Sequence, residues 1–200
     1  MRYEDPLDHG DGFYAWQPST WPDSPETYNE GLGKALERIF NDSLLLEINN
    51  VIQDARPNLE HRGHVVALAI LCAIDTLSSY AFRDVNRDIC LSCRRTDQVG
   101  PRYEKYIKTF FPLEYKPFAR KIYKLYRNQI THSWNLFEAG MLPGDKPITE
   151  QNGTIVFGLI NFFNALEESV VSFLTELKVN NSLQNSVLLR YRELKQMARP

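Results

Sequence analysis

The chain has little that would staple a small secreted protein together or anchor it in a bilayer. It holds three cysteines, an odd number that suits no closed disulfide framework. Its opening, MRYEDPLDHGDG, is acidic and turn-rich where a secretory signal would be basic and then apolar. The longest apolar run, Val65 to Ile74, is too short to span a membrane and ends at Asp75. The expectation is therefore a cytoplasmic protein with no membrane partner, in which the Asn152-Gly153-Thr154 and Asn180-Asn181-Ser182 sequons carry no sugar. There is no Gly-rich phosphate loop, no HExxH and no GxSxG, which removes nucleotide hydrolases of those types, zincins and serine hydrolases. Internal repeats and low-complexity tracts are also missing.

What the chain does have is material for a core. Apolar residues fill 43% of its 200 positions, with eleven Phe, ten Tyr and three Trp, enough to bury an interior without cross-links. The net charge of -2 hides an asymmetry. Residues 1–60 carry twelve acidic and four basic side chains, whereas residues 83–127 carry twelve basic and five acidic. The second segment reads either as a cationic binding face or as an ordinary solvated helix surface.

Periodicity orders the rest. Residues 1–25, with His9-Gly10-Asp11-Gly12 and scattered prolines, have none, and predict an irregular arm pinned by Trp16 and Trp21. Pro25-Glu26 opens a helix carried by Leu32, Ala35, Leu36, Ile39 and Phe40, and Asn41-Asp42-Ser43 punctuates it. A second helix, Leu44 to Ile52, stops at Arg56-Pro57-Asn58. The third, from about Glu60 to Phe82, is apolar nearly all round, as a helix at the centre of a bundle is. Residues 84–99 read as a loop with a short turn. Gly100-Pro101 opens a helix that Pro112 ends, and Lys116-Pro117 opens one reaching Trp134. Ile148–Gln151 and Thr154–Phe157 flank Asn152-Gly153 as a hairpin with a type I′ turn. A helix from about Leu159 to Val179 follows, Asn180-Asn181 breaks it, and Ser182 caps a last one. The predicted fold is all-α: an antiparallel four- to five-helix bundle over residues 26–200, with a small β-hairpin insertion and the irregular arm.

One run stands out. On a helix over residues 117–134, Arg120, Lys124, Asn128 and His132 fall in one row at i, i+4 spacing, flanked by Lys121 and Arg127. Arg127 and His132 are about 140° apart by the helical period, so they meet on one ligand only through the reach of arginine or a second copy of the site. The set suits attack on a phosphodiester. Imidazole exchanges protons near neutral pH, and guanidinium binds phosphate oxygens and the charge that builds on phosphorus. A neutral Asn orients either without altering the charge, and RNA supplies its own 2′-OH, so no metal or other cofactor is called for. As a string the pattern is weak, since Arg56-x4-His61 and Arg2-x6-His9 match it too. In those, Pro57 or Tyr3 follows the Arg; here a polar amide does, within an amphipathic helix. The bland alternative is a helix-end imidazole near the last carbonyls and a surface arginine.

The run YRNQITH resembles the Arg-polar-x-x-x-His signature of the HEPN superfamily, and RYEKYIKTFFPLEY through FARKIYKLYRNQITHSW resembles bacterial members of it. The resemblance covers mainly residues 60–140. It implies a HEPN-like helical domain, usually a homodimer apposing two motifs in one cleft. It further implies a metal-independent endoribonuclease leaving a 2′,3′-cyclic phosphate, of the kind found with antitoxin-like partners or in phage defence. By this resemblance Arg127 binds phosphate, Asn128 supports the site, and His132 is the acid or base. Members that only bind nucleotides or partners leave a non-catalytic module, or a structural helical dimer, as the alternative.

Other candidates have two readings each. Asp75, inside ALAILCAIDTLSS, either orients Arg127 or His132 or bonds locally with Ser78 or Ser79. Cys90 and Cys93 lack the further ligands that zinc needs, and His61 and His64 have no carboxylate cluster beside them. Tyr103, Tyr106, Phe110 and Phe111 either stack bases beside Arg102, Lys105 and Lys108 or, as helical spacing favours, belong to the core.

Overall fold

In a computed structural model, residues 26–55, 59–83, 99–125 and 139–197 are described, with two short strands nearer the N-terminus. These residues are mostly helical, with a small three-stranded sheet. In the arm, β1 (Leu7–Asp8) pairs antiparallel with β2 (Tyr14–Ala15). Trp16 and Trp21 lie outside the described residues.

The first helix, α1 (Glu30–Glu37), starts later than Pro25-Glu26, because Asn29 supplies the cap: its side chain accepts the Leu32 N–H at 2.9 Å. Nor does Asn41-Asp42-Ser43 break the chain. It passes through a π-helical segment, Arg38–Leu45, into α2 (Leu46–Ala55). Phe40 and Leu45 are both buried, and five residues of α-helix would set them about 140° apart. The wider turn brings both inward while Asn41 stays exposed.

The central helix, α3 (Leu59–Ala81), matches its expected span. It leaves Val65, Cys72 and Thr76 exposed and buries Val66, Ala67, Ile70, Leu71, Ile74 and Leu77. With Asp75 counted in, Gly63–Ala81 is long and apolar enough to cross a membrane, yet 61% of that window is buried inside the protein. Around it pack α4 (Val99–Phe110), α6 (Leu159–Leu177) and α7 (Asn181–Met197). Phe173 of α6 meets Phe40, Tyr106 and Phe110 at ring-centroid distances of 6.0, 6.2 and 5.5 Å. Such edge-to-face contacts add to the burial of each ring.

Contacts advance together along α3 and α4. Asp75 pairs with Arg102, and Phe82, just past the end of α3, stacks on Phe110 at 6.0 Å. These neighbours run in the same sense, which differs from the strictly antiparallel order expected. Residues 84–98, read from the sequence as a loop with a short turn, lie outside the described residues. At the far end Asn180, not Ser182, caps α7, accepting the Leu183 N–H at 3.1 Å. Arg83 clasps Glu193 through Nε and Nη2 at 2.8 and 2.9 Å, tying the end of α3 to α7.

The sheet has the order β3 (Ala139–Leu142), β5 (Thr154–Gly158), β4 (Thr149–Gln151). The β4–β5 hairpin pairs Glu150 with Ile155, and its turn has Asn152 at φ 51° and Gly153 at φ 85°, the left-handed pair that a type I′ turn requires. Strand β3, parallel to β5, is an addition to the expected hairpin. The Gly144–Lys146 loop then presses on Gly158: Gly158 N–H donates to the Lys146 carbonyl at 2.8 Å and Ile160 N–H to that of Gly144 at 3.1 Å, satisfying the start of α6.

Candidate nucleic-acid interface

The chain reaches the basic helix through a tight corner. Pro112 ends α4, and residues Leu113–Phe118 form a 3₁₀ turn before α5 (Ala119–Lys124). The helix thus starts after Lys116-Pro117, because Pro117 has no N–H to give and the shorter i→i+3 pattern absorbs it. Tyr115 anchors the corner. It is buried, its ring stacks on Phe162 at 5.7 Å, and its hydroxyl donates to the Asn161 side-chain oxygen. Burial, and then the charges of Glu114 and Glu168, hold this phenol well above its ordinary pKa.

From that anchor α5 divides into two faces. Ala119, Ile122 and Leu125 point into the core, and Tyr123 packs on Tyr103 at 5.4 Å. Arg120 and Lys124 point out, one turn apart and exposed, and among the described residues neither has a carboxylate partner. Lys121, on the flank, is 2.6 Å from Glu150 and donates to the Gly153 carbonyl at 3.2 Å, which sets the hairpin turn beside the basic row. Of the sequence-derived set, Arg120 and Lys124 therefore share one open face. Arg127, Asn128 and His132 lie outside the described residues, as do Cys90 and Cys93.

Asp75 has a cation partner of its own. Its carboxylate takes Arg102 at 3.1 Å in a pair only 11% and 29% exposed at the two side chains. Ser78 donates instead to the Asp75 backbone carbonyl, at 2.8 Å, and Ser79 to that of Thr76, at 2.7 Å. A carboxylate in an apolar helix had to find a cation, and Arg102, beside the inward-facing Tyr103, was the partner that sequence spacing did not single out.

No family model, curated protein or solved structure matches this chain.

The aromatic row of α4 belongs to the core: Tyr103, Tyr106, Phe110 and Phe111 are all buried. Tyr106 shares its hydroxyl with Ser169 at 3.3 Å, and burial raises its pKa far above that of a free phenol. Among the described residues no three His, Cys, Asp or Glu gather as a metal site. His64 is half-buried, Cys72 is exposed, and the His61 side chain is not among those described. A separate cleft of about 500 Å³ opens between the ends of α3, α4 and α6 and the start of α7, with Lys105 4.4 Å above the Phe82 ring at its edge.

Proposed function

We propose that this protein is a metal-independent endoribonuclease of HEPN type, working in the cytoplasm as a homodimer whose two motifs share a groove. The observation that carries the reading is the open face of α5. Arg120 and Lys124 stand exposed one turn apart, in the row that the sequence continues through Asn128 to His132. In this mechanism RNA lies along the row with its phosphates against Arg120 and Lys124, a contact weakened by salt. The 2′-OH attacks the adjacent phosphorus while the 5′-oxygen leaves, giving a 2′,3′-cyclic phosphate. His132 takes or supplies the proton, Arg127 neutralises the charge building on the phosphoryl oxygens, and Asn128 holds them in register. The helical order of residues 26–200, including the same-sense pair α3 and α4, is read as a four- to five-helix HEPN-like bundle. An antitoxin-like partner would cover the groove.

The exposed row supports a second reading as well: a module that binds RNA, a nucleotide or a partner without cleaving it. Labelled RNA incubated with chelator separates the two. The enzyme reading expects cleavage by wild type and a loss of about 100-fold or more in His132→Ala. Equal cleavage by both proteins, or none by either, overturns it. Binding without cleavage selects the module.

A further inference from the structure

We propose that Lys121 is a third phosphate-binding cation on this face, held in reserve by Glu150 until an RNA phosphate takes the place of that carboxylate; the proposal rests on the RNA reading above. Lys121 follows Arg120 directly and is three residues from Lys124, so the three cations occupy adjoining rows of one short helix. Its ammonium is 2.6 Å from the Glu150 carboxylate, and the two side chains are 39% and 41% exposed. Ion pairs so open to water are weak and are readily exchanged for another oxyanion.

Glu150 has no evident packing duty. All three residues of β4 are exposed, and the hairpin is held from its other face by buried Ile155 and Phe157 and by the pairing of β5 with β3. The Gly153 carbonyl, the second acceptor for Lys121, keeps the ammonium at the rim of the basic row when Glu150 lets go. A phosphate at that rim would sit between Lys121 and Lys124. Wild type then trades one internal pair for one phosphate contact, so the gain in affinity and in salt dependence is masked by the loss of the pair.

Anisotropy titrations with a labelled 2′-O-methyl oligouridine, which keeps the phosphates but lacks the attacking hydroxyl, test this on the full chain. Glu150→Gln is expected to bind about two- to five-fold tighter, the range set by a weak exposed pair. Its plot of log affinity against log salt should steepen by about 0.7, one single-strand phosphate contact. Lys121→Gln placed on top of Glu150→Gln should abolish both gains, whereas a general effect of removing one negative charge would survive it. If Glu150→Gln leaves affinity and slope unchanged while Arg120→Gln/Lys124→Gln weakens binding, the reserve role is wrong and the RNA face stands. If Glu150→Gln tightens binding equally with and without Lys121, the reserve role is likewise wrong. Absence of binding by wild type and Glu150→Gln alike removes both the inference and the reading beneath it.

Discussion

Residues 99–125 contain two neighbouring regions built on opposite terms. Helix α4 turns Tyr103, Tyr106, Ile107 and Phe110 into the interior against α3 and α6, with the Arg102–Asp75 ion pair at the margin of that packing. Past the Pro112 corner, α5 buries only Ala119 and Ile122, with Leu125 just after it, leans Tyr123 on Tyr103, and turns Arg120, Lys121 and Lys124 outward. The first region cannot change without loss of fold, since each buried ring carries several kcal/mol and a cavity stays where it is removed. The second can, because exposed side chains away from caps and turns contribute within about 0.5 kcal/mol of nothing. The demands of packing thus change along one short stretch of chain: the α4 rings answer to the core, whereas the α5 cations face solvent and, on the function proposed above, are left for a ligand.

The harshest way to break that contrast is alkali. Tyr80, Tyr106 and Tyr115 all have folded pKa values raised by burial, Tyr80 to about 12 from an ordinary 10.0. A raised folded pKa adds stability that is complete below pH 10 and is lost as pH climbs through the folded value. Cooperative unfolding above pH 10, with the last phenols ionising only as the fold collapses, is expected in absorbance titrations. Early, non-cooperative ionisation of every tyrosine would show that the interior is open. Next in size is Phe173→Ala, which removes a ring in contact with Phe40, Tyr106 and Phe110. It should cost about 3–5 kcal/mol in urea unfolding while the slope of the transition is kept.

The comparison is sharpened where charge enters the interior. Asp75→Ala takes the carboxylate away from a largely buried Arg102 and should cost about 2 kcal/mol, whereas Asp75→Asn with Arg102→Met should cost less than the two single changes summed. Strict additivity would mean that the pair contributes nothing. The smallest effect concerns the hairpin beside α5. Gly153→Ala should lose about 1 kcal/mol, because φ of 85° strains any residue with a Cβ. An unchanged melting temperature would show that the turn is free to relax.

Much of this was readable in the chain. The long apolar run of α3 and the periodic run of α6 fixed two helices to within a few residues, and Asn152-Gly153 fixed the type of turn. Caps were harder to place. Asn29 and Asn180 took the role assigned to the Pro25-Glu26 and Ser182 starts, since a cap is chosen by which backbone N–H groups are left without partners. Asn41-Asp42-Ser43 reads as a break, but burial of both Phe40 and Leu45 makes a π-helical passage the better outcome. Strand β3 has no periodic signal of its own, because a parallel partner is found across sixteen residues of chain rather than across a turn. Of the candidate site, Arg120 and Lys124 were legible as an exposed row, while Asp75 was legible only as a charge in need of a partner.

By itself the sequence determined the helical character, the central place of α3 and the cationic row of α5, because each follows from local spacing of apolar and charged side chains. Only the tertiary structure decided that Arg102 neutralises Asp75, that Lys121 rests on Glu150 and that α3 and α4 run side by side in one sense. Those are matters of which distant groups meet, and the free energy that selects among them belongs to the packed interior and not to any single segment.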